Sequence, residues 1–457
     1  MCEPPAESPN RVIEGDLRRT VLWLALPALA EQFLIFCVGF VDSWLSGTIS
    51  RDATSAVGTG AYIGWLASLL CGMVGAGTTA LVSRYRGQRE FADANRVANR
   101  SIALAAVMGV AICVLFYSAA PLLAGFLQMH GEQYRICVRY LRIDAFGHLA
   151  FSFAVIGSAA LRGAGDTRSP MIVLGVVSAM NIVLSPMLVF GWAGLPIMGV
   201  DGIVTGTVIA RVSGGLLMLA ALTVGRSGLK LVLRELMIRG DVVRRILRIG
   251  IPAAVDGLLI WSAQVFFLRI INTISRQQPG VFAAHMIGIQ METITYLPAV
   301  AWGYAAATLV GQSLGAEDSP RARQAGHEAA RQCGLPAAVI SVVFFFAAQT
   351  IYATMHKDAA VHAAGVPAFQ MNALFQIPLM MSIVYLFALR GAGDTRTPMI
   401  VNVLGVFGIR VPMAYLCGIV LGMQLMGAWI GMIADVSFRA ALLWRRYSRG
   451  RWTRTQV

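Results

Sequence analysis

The sequence predicts an all-α polytopic membrane protein, with twelve transmembrane helices arranged as two parallel six-helix repeats around a central cleft. Three observations support this fold class: the composition, the length of the apolar runs and an internal duplication. Of the 457 residues, 57% are hydrophobic and 13% are charged, and the mean hydropathy is +0.67. Soluble domains carry about 25% charged residues, so this chain is solvated mainly by lipid.

The apolar runs are about 20 residues or more in length, as the hydrocarbon core of a bilayer requires. The first six spans are predicted at residues 20–46, 54–83, 99–123, 139–161, 170–192 and 200–224. The second six are predicted at residues 247–272, 282–312, 333–353, 366–389, 398–421 and 426–445. The predicted domains are an N-terminal tail (1–19), an N-lobe (20–225), a linker (226–246), a C-lobe (247–445) and a basic tail (446–457).

One short stretch occurs twice, as ALRGAGDTRSPM at residues 160–171 and as ALRGAGDTRTPM at residues 388–399. The two copies differ at one position, which indicates an internal duplication. Gly163 and Gly165 suit a helix C-terminus that needs a left-handed residue. Ser169 and Pro170 suit the N-cap and the first position of the next helix. The repeated stretch is therefore predicted to be a tight connection between two helices, without chemistry of its own.

The distribution of lysine and arginine predicts the orientation of the spans. The N-terminus and one set of connections are rich in arginine, at residues 84–100, 162–168, 226–248, 321–331, 390–396 and 445–454. The opposite set carries only Arg51, Arg135, Arg139, Arg142, Arg276 and Lys357. The positive-inside rule then places both termini in the cytoplasm, with the chain in the inner (cytoplasmic) membrane. Equivalent spans lie six apart, so the two halves share one orientation and are parallel repeats.

Several classes of function are excluded by the sequence. The net charge of +14 does not indicate nucleic-acid binding, because the positive charges lie at the ends of apolar runs. No H-E-x-x-H motif, Ser–His constellation or cysteine spacing for a metal is present, so neither an enzyme nor a metal site is expected. No Walker A motif is present either, so the chain does not hydrolyse ATP. No cofactor is expected.

The chain resembles the MATE (multidrug and toxic compound extrusion) transporters of the MOP superfamily. The resemblance is carried by both copies of LRGAGDTR-[ST]-P and by three further motifs: VDSWLSG at residues 41–47, NIVLSPMLVFG at 181–191 and LVGQSLGAED at 309–318. It implies two six-helix lobes around a central cleft that export organic cations in exchange for H⁺ or Na⁺. The pattern is closer to the DinF branch than to the NorM branch, and the protein is expected to be a monomer.

The chain departs from both branches of this family at the coupling site. The NorM branch uses acids in spans 7 and 10, and the matching positions here are Ile260 and Leu379. The DinF branch has an aspartate four residues after the fifth-helix asparagine, and that position is Ser185 here. Asp42 and Asn181 match the DinF pattern. We expect H⁺ coupling rather than Na⁺ coupling, because an isolated carboxylate can bind a proton whereas Na⁺ needs several oxygen ligands.

An ionisable group inside the bilayer is costly, and each one is a candidate for function. Six acids lie within the predicted spans: Glu31, Asp42, Asp144, Asp256, Glu292 and Asp435. Asp42 is the first candidate for cation coupling, because the resemblance places it where the family's first-helix aspartate binds the coupling ion. The alternative for Asp42 is a helix-end residue that is exposed to water.

Glu31 and Asp256 form a second candidate pair for cation coupling. Each follows a helix proline, Pro27 or Pro252, by four residues, so the two acids occupy equivalent positions in the two halves. The hypothesis is that they attract or titrate against a cationic substrate. The alternative is that each acid is satisfied within its own lobe, by Gln32, by Gln264 or by a carbonyl that a proline leaves free.

The remaining acids have simpler expected partners. Asp435 precedes Arg439 by four residues, which predicts a local ion pair. Asp144 lies near Arg139 and Arg142, and a surface pair is expected. Glu292 is left open as a residue of the substrate cleft, and the nearby His285 is expected to be packed and hydrogen-bonded. Arg211 must pair with an acid of another helix, which the sequence does not identify.

The predicted function is the secondary-active export of amphipathic organic cations by alternating access of the two lobes. Aromatic and thioether side chains suit flat cations. The candidates for the cleft, besides Glu292, are Trp261, Gln264, Met291, Tyr296, Trp302 and Tyr385, although residues at such spacing also serve as packing. The alternative function is that of a flippase for lipid-linked saccharides, whose cleft would need free arginines. Arg211, Arg269 and Arg410 keep this alternative open.

Overall fold

The computed structural model of the protein describes residues 11–127, 129–236 and 240–455. Within these residues the chain is almost entirely helical and contains no β-strand. Eleven helices are long and apolar enough to cross a membrane, and one bent pair of helices makes a twelfth span. The prediction of an all-α protein with twelve spans is confirmed.

The helix bounds agree closely with the predicted spans, although most helices extend beyond them. A short helix α1 (Arg11–Glu14) comes first. The first six spans are α2 (Leu17–Ile49), α3 (Arg51–Gly87), α4 (Phe91–Phe126), α5 (Gly131–Gly163), α6 (Arg168–Phe190) and α7 (Val200–Thr223). The second six are α8 (Asp241–Ser275), α9 (Val281–Gly315), α10 (Ser319–Met355), α11 (Ala359–Ala373) with α12 (Gln376–Gly391), α13 (Arg396–Gly405) with α14 (Val411–Tyr415), and α15 (Gln424–Ser448).

The chain divides into two compact units, here called the N-unit and the C-unit. The N-unit is Leu26–Gly250, and the C-unit contains residues 11–25 and 251–455. The boundaries fall inside α2 and α8, just before Pro27 and Pro252. A proline in a helix lacks the N–H group for one backbone hydrogen bond and crowds the carbonyl four residues earlier. Each of these prolines therefore weakens its helix near the boundary between the units.

Helix α5 is the central element of the N-unit, where it packs against α3, α4 and α7. Side chains such as Ile112 of α4 and Leu141 of α5 are buried in the apolar core of this unit, to which α2 contributes Leu45. In the C-unit, α9 packs against α10, α11 and α12, and α15 packs against α12 and α14. The core of this unit is aromatic, with Phe267, Tyr352, Phe369 and Trp429 all fully buried.

The tenth span differs from the continuous helix that the hydropathy predicts. It consists of α11 and α12, which meet at an angle of 55° around Leu374 and Phe375. The physical cause is Pro378, which removes a donor and crowds the carbonyl of Leu374. The span is therefore a broken helix, with two shorter segments.

The two copies of the repeated stretch are tight connections between helices, as predicted. Gly165 and Gly393 have φ angles of +92° and +87°, the left-handed conformation that glycine allows. The prediction of a hydroxyl N-cap is wrong. Instead, the Asp166 carboxylate accepts hydrogen bonds from the Ser169 backbone N–H at 2.9 Å and from its hydroxyl at 2.6 Å. Asp394 and Thr397 repeat the arrangement.

Candidate functional site

Most of the acids within the spans are neutralised by arginine. Four of the six form ion pairs: Glu31 with Arg162, Asp144 with Arg211, Asp256 with Arg390, and Asp435 with both Arg410 and Arg439. Among the residues that the structure describes, Asp42 and Glu292 form no such pair. These two carboxylates are consequently the ones that no described arginine contacts directly.

Asp42 lies on α2 inside a polar group of the N-unit. The group, here called the Asp42 group, consists of Asp42, Asp144, Asn181, Thr207 and Arg211. The Asp42 carboxylate is within interaction range of Thr207, Arg211 and Asp144. Its Oδ1 atom is buried and accepts no hydrogen bond from the described part of the chain. Asp42 is therefore half-buried rather than fully exposed at a helix end, and its assignment to cation coupling stays a prediction.

Asn181 is brought to the same group by the packing of α6 on α7. Its side chain is buried, and its Nδ2 atom donates to the Thr207 hydroxyl at 2.9 Å. Thr207 in turn donates to the carbonyl of Ile203 at 3.0 Å. Thr207 therefore lies between Asn181, to which it is hydrogen-bonded, and Asp42, with which it interacts.

The partner of Arg211 is Asp144, whose Oδ1 atom lies 2.7 Å from the guanidinium. The expectation of a surface pair between Asp144 and its neighbours in sequence is wrong, because Asp144 is buried. Arg139 pairs with Asp201 instead, at 2.9 Å. On the other side of Asp144, the His148 Nε2 atom lies 3.0 Å from Oδ2. The packing of α5 against α7 brings Arg211 to Asp144, which local sequence spacing could not show, whereas His148 lies one helical turn after Asp144 on α5.

Glu31 and Asp256 do not present free carboxylates, because each is bonded to an arginine of its own unit, and their part in cation coupling stays a prediction. Arg162 donates to both oxygens of Glu31, at 2.8 and 3.2 Å, and Arg390 donates to Asp256 at 2.6 Å. Each carboxylate is bonded within its own unit, as the alternative expected, but the partners are not Gln32 and Gln264. They are the arginines of the repeated stretch, which has an electrostatic role that the sequence reading missed.

In the C-unit, the polar interior extends from Asp256 to Asp435. The Asn402 side-chain amide donates from Nδ2 to both oxygens of Asp256 at 2.9 Å. Its Oδ1 atom accepts a hydrogen bond from Arg439 at 3.3 Å. The predicted pair between Asp435 and Arg439 is confirmed at 2.7 Å. Arg410 adds a second guanidinium, at 2.8 Å from the same carboxylate. The network contains two carboxylates and three guanidinium groups, so the guanidinium groups are in excess by one.

Glu292 is buried beside this network and accepts one hydrogen bond, from Asn372 at 3.3 Å. It lies within electrostatic range of Arg410 and Arg439, which are bonded to Asp435. His285 is fully buried, and its Nδ1 atom accepts a hydrogen bond from Trp429 at 3.1 Å. The prediction of a packed, hydrogen-bonded histidine is confirmed.

The proposed contacts to substrate divide into buried and accessible side chains. Trp302 and Tyr385 are buried inside the C-unit, where they bond to Gln332 at 3.4 Å and to His327 at 2.9 Å. Their assignment to a substrate cleft is therefore corrected, because both serve as packing. Four candidates remain at least partly accessible: Trp261, Gln264, Met291 and Tyr296. For these the assignment stays a prediction.

Sequence reading missed Arg162, Arg390, His148, Thr207 and Asn402. A signal for the two arginines was present, because each copy of the repeated stretch supplies an arginine and each half supplies an acid at an equivalent position. His148 also had a signal, because it follows Asp144 by four residues on α5. No comparable signal marks Thr207 or Asn402, which are ordinary residues of helical runs. The described residues contain no group of three His, Cys, Asp or Glu side chains that would hold a metal ion.

Comparisons with known proteins agree with this architecture. The chain is 28% identical to a probable multidrug resistance protein NorM of Thermotoga maritima, over 97% of this chain and 94% of the relative. It is 27% identical to the multidrug resistance protein PmpM of Pseudomonas aeruginosa, over 96% and 92% of the two chains. An outward-facing structure of a multidrug resistance MATE family transporter of the MOP superfamily matches the fold with a TM-score of 0.90, at 20% identity over 98% and 100% of the two chains.

The family assignment rests on a direct match to the sequence. The model of the MatE family matches residues 27–187 and 252–416, one segment in each half and together more than half of the chain. The relatives are membrane transporters and not enzymes. The chain therefore belongs to the MatE family of polytopic membrane transporters.

Proposed function

We propose that this transporter exports amphipathic organic cations in exchange for H⁺, by alternating access, and that Asp42 carries the coupling proton. The observation that carries the proposal is the set of contacts that surround the Asp42 carboxylate. It is held in a polar interior group, one of its oxygens is buried without a hydrogen bond from the described residues, and no arginine is paired with it. Four of the other acids within the spans are instead bonded to arginines.

The surroundings of Asp42 favour a proton over a sodium ion. Na⁺ needs several oxygen ligands, and at the position of the DinF-type aspartate this chain has Ser185, whose hydroxyl donates to the Ile203 carbonyl at 3.4 Å. The Arg211 guanidinium also lies within electrostatic range of Asp42. A bound Na⁺ would share the site with that fixed cation, whereas a proton adds no separate ion to it.

The pairing of the intramembrane arginines supports a cationic substrate. A flippase for lipid-linked saccharides has to bind a pyrophosphate, which needs guanidinium groups that are not already neutralised. Two of the three arginines that kept this alternative open, Arg211 and Arg410, are bonded to Asp144 and Asp435. Arg269 forms no ion pair with a described carboxylate, so the argument applies to the other two. The relatives from Thermotoga maritima and Pseudomonas aeruginosa are named as a probable multidrug resistance protein and a multidrug resistance protein, which also favours drug export over lipid flipping. We further propose that the protein acts as a monomer in the inner membrane.

The test is ethidium efflux, measured under an imposed pH gradient and, separately, under an imposed Na⁺ gradient. Wild-type protein is expected to respond to the pH gradient alone. Asp42→Asn is expected to abolish the response, because an amide side chain cannot exchange a proton. The matched control is Glu132→Gln, which neutralises an exposed acid at the start of α5 and is expected to leave efflux unchanged.

Membrane insertion of each variant has to be verified, by its amount in isolated membranes. Efflux driven by Na⁺ alone would overturn the assignment of the ion. Full activity of Asp42→Asn would overturn the assignment of the residue. The absence of a response to either gradient, with normal insertion of the wild type, would overturn the antiporter itself.

A further inference from the structure

The C-terminal end of the chain forms a basic cavity in the C-unit that the transport cycle does not use. The cavity has a volume of about 640 Å³. Its charged and hydroxyl lining residues come from α10 and from the chain after α15: Ser319, Arg323, Arg449, Arg451, Thr453 and Arg454. It lies at the end of the helices that the charge distribution assigns to the cytoplasm. Its volume is in the range of ordinary ligand pockets.

The wall of this cavity is fixed by packing. Trp452, in the middle of the segment Arg451–Arg454, is fully buried and stacks on Tyr447 with ring centroids 4.6 Å apart. Its indole N–H donates to the Tyr447 carbonyl at 2.7 Å, and the Tyr447 hydroxyl donates to the carbonyl of Ala322 on α10 at 2.6 Å. The segment is thereby attached to α10, and the arginines on either side of Trp452 are held at the cavity.

The positive charge of the cavity is not balanced by the residues that the structure describes. None of Arg323, Arg449, Arg451 and Arg454 forms an ion pair with a described carboxylate, and no lining residue is acidic. Arg323 donates to the carbonyl of Ser448 at 2.5 Å. By contrast, nearby Arg446 pairs with Asp394 at 2.8 Å. Four like charges around one cavity repel one another, and a bound anion would relieve that repulsion.

We propose that this cavity binds the phosphate group of an anionic phospholipid from the cytoplasmic leaflet. Guanidinium groups and hydroxyls are the donors that suit phosphate oxygens, and arginine binds them with two parallel hydrogen bonds. The membrane is the expected source of the phosphate because of Trp444. This side chain is 52% exposed on α15, little more than one turn before Arg449. An exposed tryptophan near the end of a span marks the level of the headgroups.

The experiment uses the full chain in detergent, titrated with phosphatidylglycerol, phosphatidylcholine or inorganic phosphate, and counts bound ligands by native mass spectrometry. Wild-type protein is expected to bind phosphatidylglycerol in preference to phosphatidylcholine. The double substitution Arg451→Gln with Arg454→Gln is expected to weaken this binding by roughly 10- to 30-fold, since each basic residue contributes about 1 kcal/mol to binding at an anionic membrane surface. The matched control is Arg396→Gln with Arg445→Gln, two exposed arginines outside the cavity, and it is expected to bind as wild type does.

A third variant separates a built site from simple attraction by net charge. Trp452→Ala keeps every arginine but removes the side chain that attaches the segment to Tyr447, and it is expected to weaken binding as well. Equal binding by all variants would overturn the proposal, as would equal binding of phosphatidylcholine. Binding of inorganic phosphate as tight as that of phosphatidylglycerol would overturn the assignment to lipid.

Discussion

The ion pairs Glu31–Arg162 and Asp256–Arg390 are the same contact made twice, once in each unit. In both, a carboxylate one turn after a helix proline meets the arginine of the repeated stretch. The side chains of Glu31 and Arg162 are 3% and 6% exposed, so water contributes little to solvating either charge. Each charge therefore depends on its partner, and the pair joins the first span of a repeat to the fourth.

A double-mutant cycle on the N-unit pair tests this dependence. Glu31→Gln leaves the buried Arg162 charge without the carboxylate, and a cost of about 3–5 kcal/mol in the free energy of unfolding is expected. Arg162→Gln is expected to cost a similar amount. The double substitution is expected to cost clearly less than the sum, because neither charge then remains buried alone. Thermal unfolding of the purified protein in detergent measures all three.

The control for this cycle is the exposed pair of Glu132 and Arg135. Their side chains are 67% and 81% exposed and their closest charged atoms are 3.8 Å apart. A solvent-exposed pair contributes little to stability, so Glu132→Gln is expected to leave the unfolding temperature almost unchanged. Strictly additive effects in the Glu31 cycle would show that the two side chains are not coupled.

The sequence identified the acids within the spans, but it did not identify their partners. Asp435 and Arg439 were paired correctly because they lie one helical turn apart on the same helix. Asp144 and Arg211 lie on α5 and α7, and only the packing of those two helices brings them together. Hydropathy and helical periodicity are local properties of the chain, so a contact between distant helices leaves no trace in them.

At the scale of helices, the spans themselves were predictable. Hydropathy depends on the composition of one segment at a time, and the bilayer imposes nearly the same length on every segment. The break between α11 and α12 could also have been predicted from Pro378, since a proline crowds the carbonyl four residues earlier, here that of Leu374. The start of α6 differs from the prediction because the helix begins at Arg168, before Ser169, and the Asp166 carboxylate accepts from the first backbone N–H groups.

The repeated stretch also requires glycine for a close approach between helices. A Cβ atom at Gly391 would collide with the backbone carbonyl of Ala307 on α9, which cannot move aside as a side chain can. We therefore expect Gly391→Ala to destabilise the protein by about 1–3 kcal/mol, the usual cost of overpacking. The measurement is the unfolding temperature in detergent.

The matched control for this glycine is Gly334, inside α10, where an added Cβ atom meets nothing within 4 Å. Gly334→Ala is expected to leave stability unchanged or to raise it by up to about 1 kcal/mol, through the better helix propensity of alanine. If both substitutions behaved alike, the close approach of α12 to α9 would not be the reason for glycine at position 391.

At the scale of the whole chain, the duplication and the arginine distribution together imply one topology. If all twelve spans cross the membrane, an even number, both termini lie on the same side. From the arginine-rich connections we expect that side to be the cytoplasm. The connection after α3 should consequently be cytoplasmic, and the connection after α10 should be outside.

Two exposed positions in those connections allow a direct test of the orientation. Gln88 follows α3 and Lys357 follows α10, and both side chains are exposed. A cysteine introduced by Lys357→Cys is expected to react with a membrane-impermeant maleimide in intact cells. A cysteine introduced by Gln88→Cys is expected to react only after the membrane has been permeabilised.

The native cysteines leave a clean background for this labelling. Of those in the described residues, Cys37 is half-buried and the other five are buried. Replacing Cys37 and Cys2 by serine therefore removes most unwanted reaction. Labelling of Gln88→Cys in intact cells, with Lys357→Cys protected, would invert the orientation. The basic cavity would then face away from the cytoplasm, and the proposed direction of export would have to be reversed.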